Sequence, residues 1–321
     1  MLNTPEIIGE RNSAVLITGG SGLIGRYLTS ALLSEGYRVS HLSRGTPQFG
    51  RVRVFRWNPE EGIIDPAAFI ETDYIVHLAG ANIGEKRWSR KRREQIGSSR
   101  IDSARLLYKA ITENGIRLKA FISASGISYY GTQTSEKIFT EDDPPADDFL
   151  GTLTRKLEEA ADLFGQNGVR TVKIRSAVVL EKNDSALKRI MMPTQFGFLA
   201  RTGNSRQYMP WIHINDICRI YLKAIEDPGM SGAYNAVSPQ HVTHHEFMNN
   251  LAAAISRPLF PVPVPGFLLK IIYGEMADII LKGSRVSSEK IRNAGFSFEF
   301  ENLKKALDNI FISLRSAFLQ S

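Results

Sequence analysis

The chain has 321 residues, 43% apolar and 23% charged, an ordinary globular balance with enough length to bury one large core or two modest ones without a partner. Its single cysteine, Cys218, excludes an internal disulfide and a thiolate metal cluster, and no run of about 18 apolar residues is present to span a membrane. The formal charge of +7, from 40 basic and 33 acidic residues, suits an anionic small ligand without by itself implying nucleic acid; Met1 to Asn12 lacks a basic region followed by an apolar one, so the expected compartment is the cytoplasm.

In chain order, Ala14 to Ile17 reads as a buried strand that runs into Thr18 and the glycines Gly19, Gly20, Gly22 and Gly25, with a helix over Leu23 to Ser34 that ends at Gly36. Gly19 or Gly20 permits the tight turn, Gly22 lets backbone approach a pyrophosphate, and Gly25 lets helix and strand pack closely. The anion then sits on the helix N-terminus, among free N–H groups. A second strand, Tyr37 to Leu42, ends in Ser43 and Arg44, where an acidic residue would bind a free ribose 2′-hydroxyl. A hydroxyl and a guanidinium fork suit a 2′-phosphate instead, which points to NADP rather than NAD.

Residues 45–72 contain two short candidate strands, Arg51 to Trp57 among them, and Asp73 to Ala79 is another apolar strand. Small residues at its tip, Leu78-Ala79-Gly80, leave room for a ligand, while His77 is expected to pack or hydrogen-bond within the strand. The basic run Lys86 to Arg93 reads as a solvated helix face, with RNA or cofactor-phosphate contact as alternatives. A helix over Ser98 to Asn114 leads to the strand Ala120 to Ser123, whose tip, Ser123 to Gly131, concentrates hydroxyls on the edge that carries the glycine loop. That tip is a candidate substrate cradle. Five carboxylates between Glu141 and Asp148 are spaced by prolines and read as an exposed loop. Leu150 to Phe164 is an amphipathic helix, and Val169 to Leu180, with Arg175, a further strand; alternation of strands and helices predicts a parallel sheet with right-handed crossovers.

The pattern changes after residue 180. Residues 181–212 look like an excursion, Trp211 to Asp216 returns to an apolar strand, and Asn215 or Asp216 caps a helix that buries Cys218. His241, His244, His245 and Glu246 invite a metal, but Thr243 and Glu246 form a capping box ahead of the helix Phe247 to Ile255, and no metal site is expected. A proline-rich bend, Pro258 to Pro265, precedes helical stretches at Phe267 to Lys282 and Leu303 to Leu314. The expected division is a nucleotide domain at 12–180 with about 213–237, and a smaller lobe at about 181–212 and 238–312 over the cleft.

With Thr18-Gly19-x-x-Gly22-x-x-Gly25, His77 to Gly80, Ser125, Tyr130-Gly131 and Trp211 to Asp216 in that order, the chain resembles the extended short-chain dehydrogenases/reductases. It is similar in particular to a YfcH-like subgroup of the NAD-dependent epimerase/dehydratase family, through Ala79 to Ile83, Trp88, Ser99 to Ile101, Trp211 to Ile214, Pro263 to Phe267 and Gly274 to Ala277. The resemblance implies a Rossmann doubly wound parallel sheet flanked by helices, an NADP-type cofactor and a small mixed α/β carboxy-terminal substrate lobe. Extended members use a Tyr and a Lys four apart on one helix face, and none of the ten tyrosines here has a Lys at that spacing. The nearest analogue is Thr152 with Lys156.

The expected activity is NADP(H)-dependent hydride transfer on a small carbonyl, alcohol or nucleotide sugar, with Ser125 orienting the oxygen and Tyr129 or Tyr130 supplying the proton. The expected cofactor contacts are Thr18, Gly19, Ser21, Gly22, Leu23, Ile24, Gly25, Ser43, Arg44, Leu78, Ala79, Gly80, Arg100, Ser123 and Arg175. A non-enzymatic redox-sensing protein and an RNA-associated protein on the same fold are the alternatives, and a homodimer is a possible assembly.

Overall fold

The computed structural model describes residues 13–45, 52–182, 185–191, 206–259 and 264–318. Met1 to Asn12 and half of the 181–212 excursion, residues 183–184 and 192–205, therefore lie outside the described residues.

Eight strands form the main sheet. They are β1 (Ala14–Thr18), β2 (Arg38–Ser43), β3 (Arg53–Asn58), β4 (Ile63–Ile64), β5 (Tyr74–His77), β6 (Ala120–Gly126), β8 (Arg170–Ser176) and β11 (Gly232–Ala236), in the order β11-β8-β6-β5-β1-β2-β3-β4. All neighbours are parallel except β3 and β4, an antiparallel hairpin. The chain moves outward from β1 through β2 and β3, then returns to place β5 on the other flank of β1. That reversal opens a crevice at the carboxyl ends of β1 and β5, where open α/β sheets bind ligands.

Alternation along the strands supplies both faces with core. Val15 and Ile17 join Val39, Val76, Ile122 and Ile174 under α1 (Leu23–Ser34) and α5 (Ile214–Glu226), while Leu16 points oppositely, with Leu42, Ile75 and Phe121, toward α2 (Arg90–Glu113) and α3 (Phe149–Gln166). Phe121 and Phe164 stack at 3.6 Å on that second face.

The second lobe has its own core. Trp211, Phe247, Leu251, Leu303, Leu307 and Phe311 bring together β10 (Trp211–His213), α6 (His244–Ile255) and α10 (Leu303–Phe318). Two strand pairs lie outside the main sheet. Val178–Leu180, β9, breaks from β8 at Ala177 and pairs with β10, and β7 (Ser135–Phe139) pairs with β12 (Ser284–Val286). The strand expected over Val169 to Leu180 is thus two, β8 and β9, and the unexpected β7 is a strand that the first half of the chain lends to the second lobe. Asp216, fully buried on α5, accepts from the backbone N–H groups of Glu299 and Phe300 at 2.9 Å and ties the carboxy-terminal segment down.

Two helical expectations change. The helix expected from Ser98 begins at Arg90, capped by the Ser89 side chain on the Arg92 N–H, so the basic run supplies its first turn. The stretch expected as one helix from Phe267 to Lys282 is α7 (Gly266–Tyr273), a 3-10 turn at Gly274–Ala277 and a short α8 (Asp278–Leu281); Gly274, at φ +61°, makes the break. Among the described residues the remaining α-helices are α4 (Ser185–Met191) and α9 (Glu289–Asn293).

Candidate active site

The glycine loop is built as a closed turn against β1 and α1. Gly19 has φ +70°, and its carbonyl accepts from the Gly22 N–H at 2.9 Å. A Cβ on Gly25 would stand 2.5 Å from that carbonyl oxygen, which is why helix and strand meet only with glycine there. A Cβ on Gly20 would enter the His41 ring. Gly22 is the N-cap of α1 and offers no capping side chain, so the first N–H groups of this helix face the cleft without an internal side-chain acceptor. Ser21 and Gly22 are exposed, and Leu23 and Ile24 half-buried, on this rim. These features fit the pyrophosphate of a dinucleotide.

Thr18 works inward. Its Oγ1 meets His77 Nδ1 at 2.8 Å and accepts from the Leu78 and Ala79 N–H groups at 3.2 Å, which sews the tip of β5 to that of β1. His77 is fully enclosed, its other nitrogen near Ser103 Oγ at 3.2 Å, and burial lowers its pKa to about 4. It is a neutral structural histidine. Arg100 likewise shapes the wall: it donates to the Ala81 and Ile96 carbonyls, and its guanidinium occupies the space above Gly80 that a Cβ would fill. Burial lowers its pKa to about 10, with Arg92 adding to the effect. At the end of β2, Ser43 accepts from the Gly45 N–H at 3.3 Å, and Arg44 is exposed, with a 4.0 Å ion pair to Glu60.

The hydroxyl-rich tip of β6 rests on a buried polar network. Across the parallel register Ser125 faces Arg175 and Arg175 faces Asn235, so three strand ends present one row. Arg175 Nε and a terminal nitrogen grip the two oxygens of Glu158, on α3, at 2.8 Å each. Ser125 Oγ donates to the same carboxylate at 2.6 Å. The other Arg175 terminal nitrogen donates to the Tyr130 hydroxyl at 2.9 Å, and Tyr130 donates to Asn235 Oδ1 at 2.8 Å. Arg175, expected to touch the cofactor, is 3% exposed and committed to these partners, so it braces the site from below. Tyr130 is corrected in the same way: 2% exposed, hydroxyl engaged on both sides, and pushed up to about 12 by burial, it is poorly placed to give a proton to a ligand. Tyr129 is half-exposed, and its ring carries the Arg175 guanidinium 3.5 Å from its centre. Ser123 is 1% exposed, its Oγ turned to the Ala124 carbonyl, which removes it from ligand contact as well.

The missing Tyr-Lys pair takes a sharper form. The face of α3 that meets the tip carries Leu150, Thr154 and Glu158, since Thr154 bonds Ser128 and Glu158 bonds Ser125. Thr152 and Lys156 lie off that face, and Lys156 is exposed, so they are no analogue of the pair. The carboxylates of 141–148 have structural work. Glu141, raised by burial, accepts from the Asn235 N–H; Asp143 caps Thr140; and Asp148 caps α3 through Gly151 while holding Thr132.

The basic run divides: Lys86, Arg87, Arg90 and Lys91 are exposed, as expected of a solvated face, whereas Arg92 and Arg93 are not. Arg92 is buried between the Asn82 carbonyl and Glu85, and Arg93 lies over the Phe149 ring and pairs with Glu275 beyond the break at Gly274. Arg93 thereby braces the second lobe. The histidine cluster holds the capping box, Thr243 Oγ1 accepting from the Glu246 N–H and Glu246 from the Thr243 N–H. Among the described residues no group of His, Cys, Asp and Glu has a geometry that could hold a metal ion, and no helix is long and apolar enough to cross a membrane. Burial pushes the Cys218 thiol up to about 12, as befits a core residue.

Residues 15–150 match the model of the NAD dependent epimerase/dehydratase family, and residues 264–310 match a domain of unknown function, DUF1731. An epimerase family protein of Mycobacterium leprae is 35% identical over 93% of this chain and 95% of its own. The chain belongs to the epimerase family. YfhF of Bacillus subtilis, another member, is 33% identical over 92% of this chain and 97% of its own. The crystal structure of the human epimerase family protein SDR39U1 with NADPH superposes with a TM-score of 0.82 at 32% identity, covering 92% of this chain and 98% of that one. UDP-N-acetylglucosamine 4-epimerase from Bacillus cereus shares the fold, with a TM-score of 0.76 at 21% identity over 95% of this chain and all of that one.

Proposed function

We propose that this epimerase-family protein is an NADP(H)-dependent oxidoreductase acting on a small carbonyl, alcohol or sugar-nucleotide substrate. The observation that carries the reading is the helix α1 N-terminus, opened toward the crevice by a glycine N-cap, with Arg44 exposed at the neighbouring strand end. The backbone of Gly19 to Gly25, with Ser21, would hold the pyrophosphate; Ser43 and Arg44 would hold the 2′-phosphate; and Leu78, Ala79 and Gly80 would line the adenosine side. The bound nicotinamide supplies or accepts a hydride. The chain supplies position: Ser125 fixes the substrate oxygen, and Tyr129, with a half-exposed ring against a cation, is the better-placed proton donor of the two tyrosines. The NADPH in the crystal structure of the human relative supports the same cofactor.

Titration with NADPH and NADH, followed by a wide panel of carbonyl substrates with NADPH, tests the reading. Tight NADPH binding with turnover that Ser125→Ala removes is expected. An absence of turnover above that variant across the panel would overturn the enzymatic reading. The Leu150, Thr154 and Glu158 face favours one second reading, a protein that binds NADP(H) and reports redox state through its second lobe. Partners captured by the NADPH-loaded and not the NADP-loaded form would favour it; equal capture by both removes it.

A further inference from the structure

Ten large apolar side chains stand exposed among the described residues, and half of them crowd into one short segment: Phe267, Leu268, Ile271, Ile272 and Ile279. Scattered singly such residues need no explanation, but a contiguous patch marks a binding surface. Helical spacing makes this one contiguous. On α7, Phe267 with Ile271 and Leu268 with Ile272 stand four apart, and Leu268 with Ile271 three apart, so the four share one face, while Leu269 turns the other way and is buried. The helix presents its wider apolar face outward, with Phe267, Ile271 and Ile272 at 63%, 66% and 61% exposed.

The surface beside it is basic. Arg87 reaches α7, donating to the Ile271 carbonyl at 3.5 Å, and its guanidinium lies against Gly274 just past the helix end. That contact lays the exposed residues Lys86, Arg87, Arg90 and Lys91 alongside α7. The carboxylates of segments 85–94 and 266–281 are already taken, Glu85 by Arg92, Glu94 by Arg90, Glu275 by Arg93 and Asp278 by Lys282. Lys86, Arg87 and Lys91 have no acidic partner among the described residues.

We infer that α7 and the Lys86 to Lys91 run form a docking surface for an anionic phospholipid bilayer. The chemistry asks for a partner that is apolar and negatively charged at once, and an anionic leaflet offers both in one plane: acyl chains for Phe267, Leu268, Ile271 and Ile272, and phosphates for the cations at headgroup level. A second copy of the chain meets only the apolar half of that requirement, since a two-fold pairing of this face would bring two basic runs together. Docking of this kind buries the face to the depth of the headgroups and needs no spanning helix.

Flotation of the full chain with vesicles of phosphatidylcholine alone, and of phosphatidylcholine with an equal part of phosphatidylglycerol, tests the surface. At low salt the chain is expected to float with the anionic vesicles and to stay behind with the neutral ones, and ~1 M salt, which cuts the screening length to about 3 Å, should release it. Phe267→Ser with Ile271→Ser should abolish flotation without moving the thermal unfolding midpoint, since both side chains are exposed. Lys86→Gln with Lys91→Gln should weaken it on the order of 25-fold, about fivefold for each charge. Equal binding to both vesicles, or flotation that survives the Phe267 and Ile271 substitutions, overturns the inference. An absence of flotation at low salt overturns it as well and leaves the face to a protein. Sedimentation velocity of the lipid-free chain reads the remaining occupant: a dimer that the Phe267 and Ile271 substitutions dissolve assigns the face to a second copy and overturns the lipid surface.

Discussion

Arg175 and Glu158 meet in a two-bond fork beneath the carboxyl end of β6, with side chains 4% and 7% exposed. Two charges this deep are costly to desolvate, and the fork repays that cost only while both partners are present. Glu158→Ala or Arg175→Ala alone should therefore destabilise the protein by about 3–5 kcal/mol, whereas an apolar pair of similar volume at both positions should be close to neutral. Denaturant unfolding of the three variants checks this. Single variants within about 1 kcal/mol of the parent would mean that the pair is hydrated and bears no such desolvation cost.

The two tyrosines of the tip should separate. Tyr130→Phe strands Asn235 Oδ1 and an Arg175 N–H in a dry site, and should cost about 1–3 kcal/mol in stability. Tyr129→Phe leaves no buried group unpaired and should keep stability while lowering kcat with little change in KM. Steady-state kinetics beside thermal unfolding resolves the two. A stable Tyr130→Phe with lost turnover would reverse the assignment.

The nucleotide half of the site was legible in the chain because it is local: a strand, a turn that needs glycine and a helix start within a dozen residues. The supporting network was not. Ser125, Glu158, Arg175 and Asn235 are brought together only by the register of three parallel strands and one helix, and no spacing in the chain announces that. Arg175 and Tyr130 stood out as functional side chains for their type, and burial decided against direct contact. The same holds for β7, a polar strand whose partner β12 lies well over a hundred residues onward. Charge patterning misread Arg92 and Arg93 because their partners, Glu85 and Glu275, come from a loop and from the far lobe.

Arg44 makes a cofactor prediction that the neighbouring fold does not. Its side chain is 73% exposed and, among the described residues, its ion pair to Glu60 is a loose one at 4.0 Å, so removing it should leave folding untouched. Arg44→Ala should weaken NADPH binding about tenfold or more, through the loss of a charge-assisted contact to the 2′-phosphate, and leave NADH binding within about twofold. Fluorescence titration of both nucleotides measures it. Equal losses for the two would place Arg44 away from the ribose.

Gly25 tests the loop without touching charge. Alanine in an exposed helix gains about 0.5–1 kcal/mol over glycine, but here its Cβ would meet backbone at 2.5 and 2.7 Å, and overpacking of that kind costs about 1–3 kcal/mol. The strain should win, separating α1 from β1. Gly25→Ala should lower the unfolding midpoint and abolish NADPH binding together; retained binding with raised stability would show that the helix shifts freely.

Acid should unfold the protein through its histidines before its carboxylates. His41, His77, His213 and His244 are each 5% exposed or less, and burial lowers each to about 4 from the usual 6.5. A group depressed in the folded state stays neutral there while the unfolded chain takes up a proton, so the stability it contributes is complete above pH 6.5 and drains as pH falls toward 4. Each histidine adds up to about 1.4 kcal/mol per pH unit to that slope. Asp148 is held low by the Gly151 and Thr132 N–H groups against the effect of burial, and its share drains only below the ordinary carboxylate range. Glu141, raised by burial, works the other way and softens the fall. Thermal unfolding between pH 7.5 and 4, on the order of these windows, should show a midpoint that is level above 6.5 and drops steeply beneath it. The drop should be shallower in His77→Gln, which retains a partner for Thr18 and cannot titrate. A midpoint that stays flat to pH 4, or a slope unchanged in that variant, would mean that the buried rings are protonated in the folded chain.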